Sequence, residues 1–188
     1  MFISRMLRLV VFLLLVAAHP LLRAQQPKIF VSLNGSVNFR SDAPQELIKA
    51  ESNELKGAIE TAGKTFSFKI RISSFEGFNS GLQRIHFNEN YLESAVYPEA
   101  TFKGKIIEDI DFTKDGRHEV RTKGILNIHG IDQERIIKSE LIIRQGKMYI
   151  QSAFTVLLPD HNIPIPRIVK DKLAQEIKVA IKAVLEPR

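Results

Sequence analysis

Lys64–Ile72 reads KTFSFKIRI, and its alternation decides the fold class: Phe66, Phe68, Ile70 and Ile72 alternate with Thr65, Ser67, Lys69 and Arg71. A side-chain period of two puts the four apolar residues on one face, as in a half-buried antiparallel strand. The same even-numbered phase returns at Phe102, Gly104 and Ile106, at Gly124, Leu126 and Ile128, and at Met148, Ile150, Phe154 and Val156. Further strands are expected over Phe30–Arg40, Glu46–Glu51, Leu55–Glu60, Asp109–Phe112, His118–Ile128, Glu134–Ile143 and Lys147–Leu157. Asn34-Gly35 fits a tight hairpin turn, but few residues lie on either side, so a continuous or bulged first strand is preferred. Turn signals stand at Ala62-Gly63, Asp115-Gly116, His129-Gly130 and Gln145-Gly146.

Two stretches break the alternation. Ser80–Ser94 carries Leu82, Ile85, Tyr91 and Leu92 among polar residues, which predicts an amphipathic helix capped by Ser80 and packed through Ile85 and Leu92. Pro164–Gln175 predicts a turn with one short helix. Glu176–Leu185 spaces Ile177, Val179, Ile181, Ala183 and Leu185 two apart, favouring a closing strand over a helix continued from Val169. About eight alternating strands without a βαβ rhythm point to an all-β, mainly antiparallel, eight-stranded barrel with one or two short helices. Such a barrel is either filled by its own side chains or holds one slender ligand.

Residues 1–24 have the layout of a secretory signal peptide: Arg5 and Arg8, an apolar run from Leu9 to Ala18, then the small Ala24. Residues 25–188 are then one exported domain, periplasmic or secreted. Export removes three arginines and no acid, lowering the formal charge from +6 to +3. The remaining bases are interspersed with acids, which argues against nucleic acid as a partner. The chain has no cysteine, so the exported fold stands without disulfides.

Five ordered pieces of sequence carry a resemblance: Gly35–Pro44 (GSVNFRSDAP), Ile48-Lys49-Ala50, His86–Ile106 (HFNENYLESAVYPEATFKGKI), Gly124–Gly130 (GILNIHG) and Phe154–Pro166 (FTVLLPDHNIPIP). Together they resemble the YceI-like family of lipocalin-like periplasmic barrels, in the variant common among Bacteroidetes-type members. The likeness spans about Gly35 to Pro187. Where more widespread members carry an R-D-x-H-L run followed by F-F-D, this chain has residues such as Asn88, Asn90 and Tyr91. The resemblance implies a pore for a polyisoprenoid, a polyprenol or an isoprenoid quinone, and no other cofactor. The apolar phase supplies a lining for it: Phe66, Phe68, Ile70, Phe102, Leu126, Ile128, Met148, Ile150 and Phe154. Gly104 and Gly124 share that phase and either leave room for a ligand or mark strand curvature. Tyr91 and Tyr97 either cover one mouth of the barrel or anchor the helix to its wall.

Other constellations point to no chemistry. His86, Glu89 and Glu93 can share a helix face, but four-helix carboxylate sites need matching ligands that are missing here, and a solvated face accounts for them. Asp160-His161 lacks a nucleophile elbow, since Gly77–Gly81 holds its serine one place late. His129 reads as a strand-end histidine with local hydrogen bonds. Lys103, Lys105, Arg121 and Lys123 fall on the outward phase, as a solvated wall. The leading expectation is a non-enzymatic carrier or store of an isoprenoid lipid, with transient membrane-surface contact and a homodimer both open. Its rival is a filled structural barrel that binds a protein partner.

Overall fold

The computed structural model describes residues 28–188, so the leader read over residues 1–24 lies outside the described residues. Eight strands form a closed antiparallel barrel in sequential order: β1 (Ile29–Asp42), β2 (Leu47–Glu60), β3 (Thr65–Arg71), β4 (Glu99–Ile106), β5 (Gly116–Ile128), β6 (Ile131–Arg144), β7 (Lys147–Leu157) and β8 (Glu176–Pro187). β8 returns to pair with β1, with Ser41 opposite Ile177 and Phe30 opposite Pro187, so the last apolar run is a strand. Two hairpins close through two-residue turns with positive φ at both positions, His129-Gly130 and Gln145-Gly146. Those angles match the mirror-image turns that suit the right-handed twist of paired strands.

Paired bulges interrupt the alternation of β1 and β2. Inward residues run Phe30, Ser32 and then Gly35, Val37, so β1 changes phase; β2 does the same between Ser52 and Leu55. The register shifts between Ser32 and Gly35 and again between Gly35 and Val37. An extra residue turns the next side chain back to the core face and bends the strand. Asn34-Gly35 is therefore a bulge, and the two strands expected over Glu46–Glu60 are one, with the Ser52 hydroxyl bonded to that of Ser74 at 2.6 Å.

Asp109–Phe112 is not a strand. The Asp111 carboxylate accepts hydrogen bonds from the Thr113 amide and hydroxyl, folding the β4–β5 connection into a local turn. Those bonds and Lys114 hold the Asp111 carboxyl down at about 2. Ile110 and Phe112 then pack against the core that holds Met148 and Leu185, both fully buried. This end of the barrel, with the β2–β3 and β6–β7 turns, is closed.

The opposite end carries the β1–β2 and β5–β6 hairpins and the two long connections. In the β3–β4 connection, helix α1 (Gly81–His86) starts at Ser80, whose hydroxyl accepts from the Gln83 amide at 3.2 Å. It widens into a π turn over Phe87–Tyr91, shorter and less regular than the helix expected to Ser94. Leu92 is buried as expected, but Ile85 is 48% exposed, and Phe87 takes its place in the packing. In the β7–β8 connection, Leu158–His161 and Arg167–Val169 are single 3-10 turns.

The wall is not laddered throughout. β6 pairs with β5 along its length but with β7 only between Arg144↔Lys147 and Ser139↔Ser152. Beyond that the strands part, and side chains bridge to backbone carbonyls: Ser152 to Lys138 at 3.0 Å, Arg135 to Thr155 at 2.8 Å and Gln133 to Asp160 at 2.7 Å. These bonds occupy acceptors that a strand partner would otherwise take.

Candidate functional site

The barrel encloses a cavity of about 410 Å³ that reaches the end bearing the long connections. Of the nine residues expected to line a pore, Phe66, Phe68, Ile70, Phe102, Leu126, Ile128, Ile150 and Phe154 do so. Met148 does not: opposite Ile143 and Leu185, it is part of the solid packing below the cavity floor. Its phase is right, but its level along the barrel is wrong, and periodicity carries no information about level. Tyr91 lines the cavity near its mouth, where burial pushes its phenol up. Tyr97 lies elsewhere, with its ring edge-to-face on His129 at 4.6 Å and against Gly130, anchoring the connection to the β5–β6 hairpin.

Gly104 and Gly124 give the ligand no room. A Cβ on Gly104 would stand 2.1 Å from the Lys123 carbonyl oxygen, and one on Gly124 would stand 2.3 Å from that of Lys103. They allow the β4 and β5 backbones to approach closely where Gly104 stands opposite Gly124. Gly57 serves a related purpose, since Phe68 on the facing strand lays its ring where a Cβ would be.

An aromatic cluster at the mouth was not legible from strand phase. Phe39 stacks on Phe87 at 5.4 Å, and Phe75 and Phe78 pack around both. Three of the four rings sit in the β3–β4 connection, and Phe39 follows the phase change in β1. The dense Phe75, Phe78, Phe87 spacing between two strands was the available signal.

Two of the hydroxyls that line the wall are bonded to neighbouring strands. Thr122 donates its hydroxyl proton to the Ile137 carbonyl at 3.0 Å, and Ser152 likewise bonds Lys138. Ser41 accepts from the Ala174 amide at 2.9 Å. Polar side chains bordering the space gather at the mouth, where Glu46 and Gln83 bond each other beside His86 and Lys172. An apolar interior with a polar rim suits a ligand with a long hydrocarbon body and one polar end. On the outer wall, Arg121 pairs with Glu108 at 2.8 Å and Lys123 with Glu134 at 3.2 Å.

Two histidines tie the mouth connections together. His129 donates from Nδ1 to the His161 carbonyl at 3.1 Å and meets the Glu93 carboxylate through Nε2 at 2.7 Å. His161 is fully buried, and neither ring nitrogen makes a well-formed hydrogen bond among the described residues. Burial lowers its pKa against smaller opposing contributions from the Ile131 and Ile128 backbone and Asp160, with Arg135 lowering it further. The unfolded chain therefore binds this proton more readily than the folded one. Stability should be full above about 6.5 and fall as pH drops from there toward the folded-state value. Urea midpoints on either side of that window should show the loss in the parent protein and not in His161→Leu; equal losses in both would assign it elsewhere.

A family model described as "YceI-like domain" matches residues 30–185. No curated protein matches the chain. Among solved structures, a polyisoprenoid binding domain from Saccharophagus degradans, implicated in plant cell wall breakdown, aligns with TM-score 0.72 at 15% identity, over 87% of this chain and 100% of that one. Burkholderia cenocepacia BcnA aligns with TM-score 0.67 at 12% identity, over 80% and 95%. A Campylobacter jejuni YceI protein aligns with TM-score 0.51 at 19% identity, over 66% and 72%. At these identities the likeness is one of fold.

Proposed function

Because this chain belongs to the YceI-like domain family, we propose that it is an exported, non-enzymatic carrier or store of a polyprenol or isoprenoid quinone, working in the periplasm or outside the cell. The observation that carries this reading is the cavity, whose lining is predominantly apolar and in whose wall the Thr122 and Ser152 hydroxyls are committed to strand carbonyls. An isoprenoid tail gains about 25 cal/mol for each Å² taken from water and asks for no polar partner. The solved relative from S. degradans, described as polyisoprenoid binding, supports the ligand class.

The test is the native mass of protein prepared without detergent, followed by solvent extraction of whatever it carries. A stoichiometric isoprenoid, or uptake of added polyprenol or quinone by the bare protein, is the expected result. A folded protein that stays bare under both conditions would hand the function to the rival reading, a barrel used as a protein-interaction module.

A further inference from the structure

The segment that forms one side of the mouth also carries the most exposed large apolar side chain of the described residues. Val169 and Leu173 line the cavity, while Ile168 is 89% exposed. Beside Ile168 stand Arg167, Lys170 and Lys172, exposed and without a carboxylate partner among the described residues; Asp171 is the one acid between them. Across the mouth, helix α1 divides in the same way. Gln83 and His86 border the cavity, and Leu82 (60% exposed) and Ile85 (48%), three residues apart, face solvent together.

We propose that this rim docks on an anionic lipid bilayer, with Ile168, Leu82 and Ile85 entering the interfacial layer and Arg167, Lys170 and Lys172 meeting headgroup phosphates. The inference rests on the carrier reading above. Charge complementarity selects this occupant: exposed apolar side chains interleaved with unpaired cations are what an anionic interface attracts, whereas a protein core would need those cations neutralised. Continuity with the mouth gives the docking its use. A tail drawn from the bilayer between α1 and the Arg167–Val169 turn reaches Phe87 and Leu173 without crossing bulk water.

The experiment is vesicle flotation, using phosphatidylethanolamine with phosphatidylglycerol against pure phosphatidylcholine. The protein should float with the anionic vesicles, less so at high salt. Ile168→Asp, or Arg167→Glu with Lys170→Glu, should reduce the bound fraction by roughly tenfold, whereas Lys103→Glu with Lys105→Glu on the wall should not. The chain has no tryptophan, so Ile168→Trp provides a single reporter whose emission should shift blue on anionic vesicles only. Isoprenoid uptake from cyclodextrin, which needs no membrane, should be unchanged in Ile168→Asp. Rim variants that float like the parent, or an Ile168→Trp protein whose emission does not shift, would overturn the docking surface. Failure of cyclodextrin uptake with intact flotation would instead overturn the carrier reading and leave the docking surface standing.

Discussion

Gly104→Val should destabilise the barrel more than any other single glycine substitution in a strand discussed above. The added Cβ would lie 2.1 Å from the Lys123 carbonyl oxygen and 2.5 Å from the Gly124 Cα, both backbone atoms held in the β4–β5 ladder. Overpacked cores commonly lose about 1–3 kcal/mol when side chains can yield. Here the obstacle is a paired strand, so the loss should meet or exceed the top of that range, out of a total of about 5–15 kcal/mol. A loss of about 3 kcal/mol corresponds to a fall in Tm of roughly 6–12 °C for a domain of this size. Gly81→Ala is the matched control, because nothing lies within 4 Å of its added Cβ. Circular dichroism melts should separate the two; Gly104→Val melting with the parent would mean that β4 and β5 can move apart at no cost.

Val179→Trp should weaken lipid uptake by roughly 70-fold while leaving the fold intact. Val179 lines the cavity on β8, between Phe39 on β1 and Phe154 on β7, and it is only half-buried. An indole there grows into existing space and introduces no charge. If it takes the place of about 100 Å² of tail contact, the lost burial is about 2.5 kcal/mol, or roughly 70-fold in affinity. The melting temperature should stay within a few degrees of the parent, by about 2–4 °C for each kcal/mol. Parent-like uptake by a folded Val179→Trp protein would place the lipid outside this cavity.

These two positions mark what the sequence showed and what it left open. Alternation in Lys64–Ile72, and its return in the later strands, was enough for an antiparallel barrel, because the period of two is a local property of each strand. It was equally enough to find eight lining residues. Met148 was lost because phase says which side a residue faces and not how far along the axis it sits. The fused β2 was obscured because the strand changes phase midway, whereas the bulge in β1 was legible from the few residues on either side of Asn34-Gly35. Asp109–Phe112 looked like a strand because Ile110 and Phe112 are two apart, yet the Asp111 turn chemistry folded it across the closed end. Gln133 and Arg135 share the phase of Ile137 and Leu141 on β6 yet are polar, and the reason exists only in three dimensions: they bond to carbonyls across the gap toward β7. The mouth cluster of Phe75, Phe78 and Phe87 is assembled by an irregular connection, for which no periodic template exists.

The pairing of β1 with β8 has a practical consequence for handling the molecule. The Arg188 amide bonds the Ile29 carbonyl at 2.9 Å, so both strand ends emerge side by side at the closed end of the barrel. The twelve residues of β8 separate that point from the mouth connections, roughly 40 Å of strand at about 3.3 Å per residue. A dye, an affinity handle or a surface tether attached beyond Leu185 therefore leaves the opening pointing away from the attachment. A short peptide joining the two ends allows the chain to be reopened at the Gln145-Gly146 turn, where Gly146 has open space around it. The same geometry suits a sensor in which immobilisation and ligand access occupy opposite poles.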